Sequence, residues 1–345
     1  MRHCARHWGW KSWNWKPWGL LLGGLLAVPV AGHATSCTTQ GEMNPQDRDT
    51  LASAGQQLGN AVVQQDFSSL QGVLLPAVAS QWEGMREVIE QAAPIVKGGR
   101  VQLNALYQLD ASTQAAVSDA QFFCSNASAS LTVAISMRSL PPGKYAVVLA
   151  YVLGPATSGS AGAPIAGQLA FILALDANQW KLGGVFIRPG IFDGHDGVWY
   201  WERARDLAKS NSPWSAWFFY ETARYLLVPV DFLSSPNLEK LGQEQAQVKD
   251  SPAEAFPYSL PDGARTWKID SVRLDPSLRQ ADLAVTYEST GVSDPAAVRT
   301  EATAVLSALL KAQPALRQNF HGLWAYASRD GKASPVMELP MAQIP

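Results

Sequence analysis

The chain has 345 residues, of which 47% are hydrophobic and 16% charged. That balance excludes extensive disorder, which needs a polar, charge-rich chain, and the length suits about two domains of ~100–200 residues each. The formal net charge is −2, with 27 Lys and Arg against 29 Asp and Glu. No basic cluster overrides it, so nucleic acid is excluded as an expected partner.

Residues 1–34 stand apart from the rest. Arg2, Arg6, Lys11 and Lys16 make a basic start with no acid, and Gly19 to Gly32 is an apolar run of 14 residues. Gly32-His33-Ala34 places small residues at −3 and −1, completing the pattern of a cleaved secretory signal peptide. The apolar run falls short of the ~18 residues that span a bilayer, so no membrane span is expected after cleavage. Losing four basic residues leaves 23 Lys and Arg against 29 acids, a net charge of −6. The expected location is the periplasm or the medium. Cys4 leaves with the leader, and Cys37 and Cys124 are expected to form a disulfide in that oxidising compartment. The alternative, a lipoprotein acylated at Cys37, lacks the aliphatic residue wanted three places upstream.

Asn44-Pro45-Gln-Asp47 is a helix start, with Leu51, Leu58 and Val62 on one face to about Gln65. Asp66 caps a second short helix with Phe67, Leu70, Leu74 and Leu75. A third helix covers about 81–96, with Trp82, Met85, Val88, Ile89 and Ile95 as its buried stripe. From Arg100 the period changes to two. Val101, Leu103, Ala105, Tyr107 and Leu109 alternate with polar residues, as do Leu131, Val133, Ile135 and Met137. Pro141-Pro-Gly143 then turns into Tyr145 to Leu153, apolar on both faces, and such pairs indicate antiparallel hairpins. A small, polar loop at 157–162 precedes strands at 169–175 and 180–188.

The segments QQDFSSLQGVLLP (64–76) and LDANQWKLGGVFI (175–187), in this order of helices and strands, resemble the nuclear-transport-factor-2-like, or cystatin-like cone, superfamily. The resemblance covers residues 45–190. It implies a sheet wrapped around a helix to form a pocket, used by many members for binding and by some for catalysis with an Asp, His or Tyr. No His lies between Ala34 and Asp193, so a His-Asp dyad inside this domain is excluded.

Beyond Asp193-Gly-His195-Asp196-Gly197, helices are expected from Val198 to Lys209 and from Ser212 to Leu233, with Pro229 ending or kinking the second. A third runs from Ser235 to about Val248. After a Pro-rich linker, Trp267 to Leu274 pairs with Ala281 to Glu288, a helix starts at Asp294-Pro295, and two strands at 320–327 and 334–339 finish the chain. The expected class is α+β. The expected domains are a cone-like domain (35–192), a helical hairpin region (193–250), a linker (251–264) and a small α+β module (265–345).

Two groups are candidates for chemistry. Asp193, His195 and Asp196 read either as a base with its orienting carboxylate or as a turn with a helix cap. Trp199, Trp201, Trp214 and Trp217 read either as a binding surface or as an interdomain core. The ionisable side chains show no closely spaced metal ligands and no phosphate loop or nucleophile elbow, so no metal or cofactor is expected. The expectation is an exported, non-catalytic protein of the cell envelope that binds a small ligand or a protein partner. The alternatives are a hydrolase or isomerase using Asp66 or Asp110 in the cone pocket, and a structural component of an envelope assembly.

Overall fold

The computed structural model describes residues 35–345 apart from 129, 155–163, 276–279 and 292–293, and apart from the side chains of 131 and 254. The expected leader and the expected loop at 157–162 lie outside the described residues. The first helix begins where the sequence supplies a cap. Asn44 Oδ1 accepts the Asp47 N–H at 2.9 Å in front of α1 (Pro45–Gln64), satisfying one of the helix's orphan donors. Asp66 does the same for α2 (Phe67–Gly72) through the Ser69 N–H. The stripe of α3 (Trp82–Val96) is Trp82, Ile89, Ala92 and Val96, with Met85 beside it, while Val88 is only half-buried.

The fold is α+β, and its N-terminal half has two sheets. β1 (Ser36–Thr39), β2 (Arg100–Asp110), β5 (Lys144–Leu153), β6 (Ile165–Asp176) and β7 (Gln179–Pro189) form an antiparallel sheet in the order β1-β2-β5-β6-β7. α1 and α3 cover one face. The other face packs against a second sheet made of β3 (Ser118–Ser125), β4 (Leu131–Leu140) and the short β10 (Leu233–Ser234). The expected hairpin across Pro141-Pro-Gly143 therefore does not form. β4 pairs with β3 and β10, β5 pairs with β2 and β6, and the turn carries the chain from one sheet to the other. This placement explains why β5 is apolar on both faces. Ala146, Val148, Ala150 and Val152 join the helix-side core, and Tyr145, Val147 and Leu149 join the core between the sheets. The single stripe expected on β2 is also split. A bulge between Leu103 and Ala105 leaves Val101 and Leu103 on the helix side and sends Tyr107 and Leu109 to the other.

The chain then makes a tight hairpin, β8 (Ile191–Phe192) and β9 (His195–Asp196), and enters α4 (Gly197–Lys209), α5 (Pro213–Leu227) and α6 (Pro236–Ala246). A five-stranded sheet follows in sequence order: β11 (Tyr258–Asp262), β12 (Arg265–Asp275), β13 (Asp282–Glu288), β14 (Gly322–Arg329) and β15 (Lys332–Pro340). All its pairings are antiparallel except β13–β14, which are parallel and joined through α7 (Pro295–Ala312) and α8 (Ala315–Asn319). The segment expected as a linker thus contains a strand. β11 is at the sheet edge, where Pro261 removes no ladder bond that the sheet needs. Helices and sheet share one core, in which Phe218, Phe219, Val305, Leu309, Leu283 and Phe320 pack together.

The two halves meet along residues 225–234. Gln168 Nε2 donates to the Leu226 carbonyl, and Arg188 bonds Asp231 at 2.7 Å while lying over the Tyr225 ring. Phe186 meets Phe232 edge-on, and Val230 and Leu233 enter the core between the N-terminal sheets.

Candidate functional site

The Asp193–Gly197 cluster is first of all a turn. Asp193 (φ 44°) and Gly194 (φ 76°) take the left-handed conformations that a two-residue hairpin needs. Asp196 Oδ1 accepts the Trp199 N–H at 2.8 Å, capping α4, and Gly197 lies where a Cβ would stand 2.6 Å from Leu227 Cγ. No hydrogen bond among the described residues joins His195 to Asp193 or Asp196, so the cluster holds no base with an orienting carboxylate. His195 instead stacks on Trp199, with ring centroids 3.7 Å apart and planes within 9°.

The four tryptophans separate by burial. Trp214 is buried against Phe256 and Tyr258, and Trp217 packs edge-on to Phe218. Trp201 donates its indole N–H to Glu244 Oε2 at 2.7 Å. The same carboxylate takes Arg205 Nε at 2.8 Å and Nη2 at 3.0 Å, which clamps α6 onto α4. These bonds, Arg205 first, hold the Glu244 carboxyl below its ordinary range. Arg205 therefore pairs across helices, from α4 to α6. Trp199 differs from the other three. It is 37% exposed beside Val198, which is 49% exposed.

The acids expected in a cone pocket are occupied elsewhere. Asp66 accepts Ser68 Oγ at 2.7 Å and Ser69 Oγ at 2.6 Å, bonds that hold its carboxyl down at about 2. Asp110 ends β2 and accepts the Ser112 hydroxyl and N–H, which also lower it. Both are local turn and cap acceptors. On the helix side of the main sheet, Leu58, Val62, Leu70, Trp82, Ile89 and Val96 fill the space against Val148, Leu169 and Phe171.

A third group, which the sequence reading does not nominate, assembles on the C-terminal sheet. Asp282 opens β13 on the face that alternation marks as polar, yet it is fully buried. The parallel register that sets Leu283 beside Leu323 brings Asp282 of the central β13 beside Gly322 of β14. On the other side of β14, Glu338 of β15 is the partner of Trp324, one step along the same face. His321 leads into β14 and is fixed at both neighbours, donating its N–H to the Ala281 carbonyl at 3.1 Å and accepting the Met341 N–H at 2.9 Å. Its Nδ1 lies 3.0 Å from Asp282 Oδ1. One donor atom from each of Asp282, His321 and Glu338 lies within 4.8 Å of the other two. Asp282 Oδ2 and Glu338 Oε1 are buried without a hydrogen-bond partner, an arrangement that costs free energy unless a positive charge answers it.

Gly322 makes the approach possible. A Cβ there would lie 2.9 Å from Glu338 Oε1 and 3.2 Å from Asp282 Oδ1, so any side chain would fill the gap that the two carboxylates face. The available signals in sequence were an acid opening the apolar run Ala281–Tyr287 and a His-Gly pair entering a strand. Neither is specific without the register.

Across all its length the chain matches no known protein family, no curated protein and no solved structure.

Proposed function

We propose that this is an exported, non-catalytic protein of the cell envelope that binds a protein partner, with the exposed edge around Trp199 as its contact. The observation that carries this reading is the His195–Trp199 stack. A large aromatic side chain is held in one orientation by stacking and by the Tyr200 ring edge-on at 5.0 Å, and is still left 37% exposed. Exposed, preordered tryptophan is the residue type most often found at the centre of binding hot spots, because little ordering entropy remains to be lost. Asp193 and Asp196 put negative charge on the turn and helix cap that lead into Trp199, which favours a partner offering an aliphatic side chain flanked by cations.

Export is supported by the leader pattern and by the Cys37–Cys124 bond, since such bonds persist in oxidising compartments. Among the described residues, no helix is long and apolar enough to cross a membrane. The resemblance of residues 45–190 to the cone superfamily gains support from the helices lying on one face of an antiparallel sheet. The filled space beneath them favours a scaffold over a reaction chamber. The test places a photo-crosslinking residue at position 198 of the mature protein in its native envelope. A discrete adduct is expected, and it should disappear with Trp199→Ala while the thermal midpoint is unchanged. Persistence of the adduct in that variant, or no adduct at all, would remove the proposal.

A further inference from the structure

The structure assigns a divalent-cation site to Asp282, His321 and Glu338. The argument is independent of the partner surface around Trp199. The donors are one imidazole and two carboxylates, a mixed nitrogen and oxygen set that suits first-row divalent ions such as zinc or manganese. Zinc donors lie about 2.0–2.2 Å from the ion, so pairs of them are spaced by roughly 3.3–3.6 Å in a tetrahedron. The His321–Asp282 pair at 3.0 Å is close to that spacing, and one donor atom from each of the three residues lies within 4.8 Å of the others.

Three features distinguish this group from a chance gathering of acids. Asp282 has no exposed surface, and its Oδ2 has no partner. Glu338 Oε1, approaching from the opposite strand, is also buried without one. Gly322 leaves open the space between them, where any larger residue would intrude. A hydrogen-bonded Asp–His pair alone accounts for one carboxylate oxygen and leaves the other two unanswered. A cation answers both. A third carboxylate, Asp275, is the register partner of Asp282 and adds negative charge at the same end of the sheet. His321 is exposed, so the ion would sit at the protein surface with buried oxygens beneath it and water completing its shell. Three protein ligands and an open position are the ligand count of zinc sites that exchange with solvent.

The experiment is zinc titration of the untagged, disulfide-bonded mature protein by calorimetry, with cobalt absorption as a second readout. One equivalent per chain is expected, with d–d bands that change when His321 is replaced. Asp282→Asn, His321→Ala and Glu338→Gln should each weaken binding by at least the roughly 10–100-fold that follows loss of an outer-shell partner. Gly322→Ala should weaken it without removing any donor. Circular dichroism reports whether each variant folds, and Glu338→Gln, at a partly exposed position, carries the test if Asp282→Asn does not. Absence of saturable binding overturns the site. So does equal affinity in wild type and all folded variants, or binding that follows His195→Ala and ignores His321→Ala.

Discussion

At the scale of single residues, burial and hydrogen bonding push two carboxylates in opposite directions. Asp66 is surrounded by hydroxyl donors and is held ionised. Glu221, on α5, is half-buried and accepts no hydrogen bond among the described residues. Burial raises its carboxyl to about 7, and the Arg224 charge only partly opposes this. In the unfolded chain Glu221 ionises near 4.5, so between that pH and about 7 the folded protein holds a proton that the unfolded chain has released. Stability therefore falls as pH rises through that window and levels off above it. Glu221→Gln removes the charge and keeps the shape. It should raise the thermal midpoint at pH 8, leave it unchanged at pH 4.5, and flatten the slope between. An equal shift at both pH values would show that the effect is packing and not ionisation.

At the scale of elements, α1 lies close to its sheet because two small residues face it one turn apart. A Cβ on Gly55 would lie 2.7 Å from Val148 Cγ1, and one on Gly59 would lie 2.6 Å from Val101 Cγ1. Both neighbours are short, stiff valines held in paired strands, Val148 in the middle of β5 and Val101 near the start of β2, so the helix has to move if the glycine grows. Gly59→Val should cost about 1–3 kcal/mol in urea unfolding, the range for overpacking a filled core. Gly84 is the control. It sits in the exposed first turns of α3 with nothing within 4 Å of its missing Cβ, and Gly84→Ala should stabilise by about 0.4–1 kcal/mol. If Gly59→Val were neutral, α1 would not owe its position to close contact.

Local signals made much of the elements legible. Asn44-Pro45, Asp66 and Asp294-Pro295 announce their helices because a cap and its helix are neighbours in sequence. The β12–β13 pairing follows from matched alternation. What alternation does not carry is partner identity. β4 and β5 both alternate and are joined by a good turn, yet they belong to different sheets, because β5 is wanted between two layers. The bulge in β2 is invisible for the same reason, since it changes which core a residue joins and not whether it is apolar. The Asp282–His321–Glu338 group depends entirely on such pairing. Asp282 and His321 are 39 residues apart and become neighbours only through a parallel register that a helical crossover imposes.

For the whole molecule, the least secure part of the N-terminal half is its outermost strand. β1 is four residues long, pairs with β2 alone, and none of its residues is fully buried. It is tied elsewhere, by the Cys37–Cys124 disulfide to β3 in the second sheet and by Thr35 Oγ1 to the Gln121 carbonyl at 2.7 Å. The disulfide therefore joins the edge of one sheet to the other and closes a stretch with a sequence separation of 87. Closing so long a loop in the unfolded chain is worth on the order of 4 kcal/mol on chain-entropy grounds. Replacing both cysteines by serine should lower the unfolding free energy by about that amount. It should also raise amide exchange at Cys37–Thr39 well above that of β5, whose core does not depend on the bond. A chain spanning residues 35–345, whose two cysteines form this bond, should titrate no free thiol before denaturation and reduction. A loss of only a few tenths of a kcal/mol would mean that packing between Leu109, Phe122, Ile135 and Val147 holds the two sheets together without help, leaving the disulfide to anchor the N-terminal strand alone.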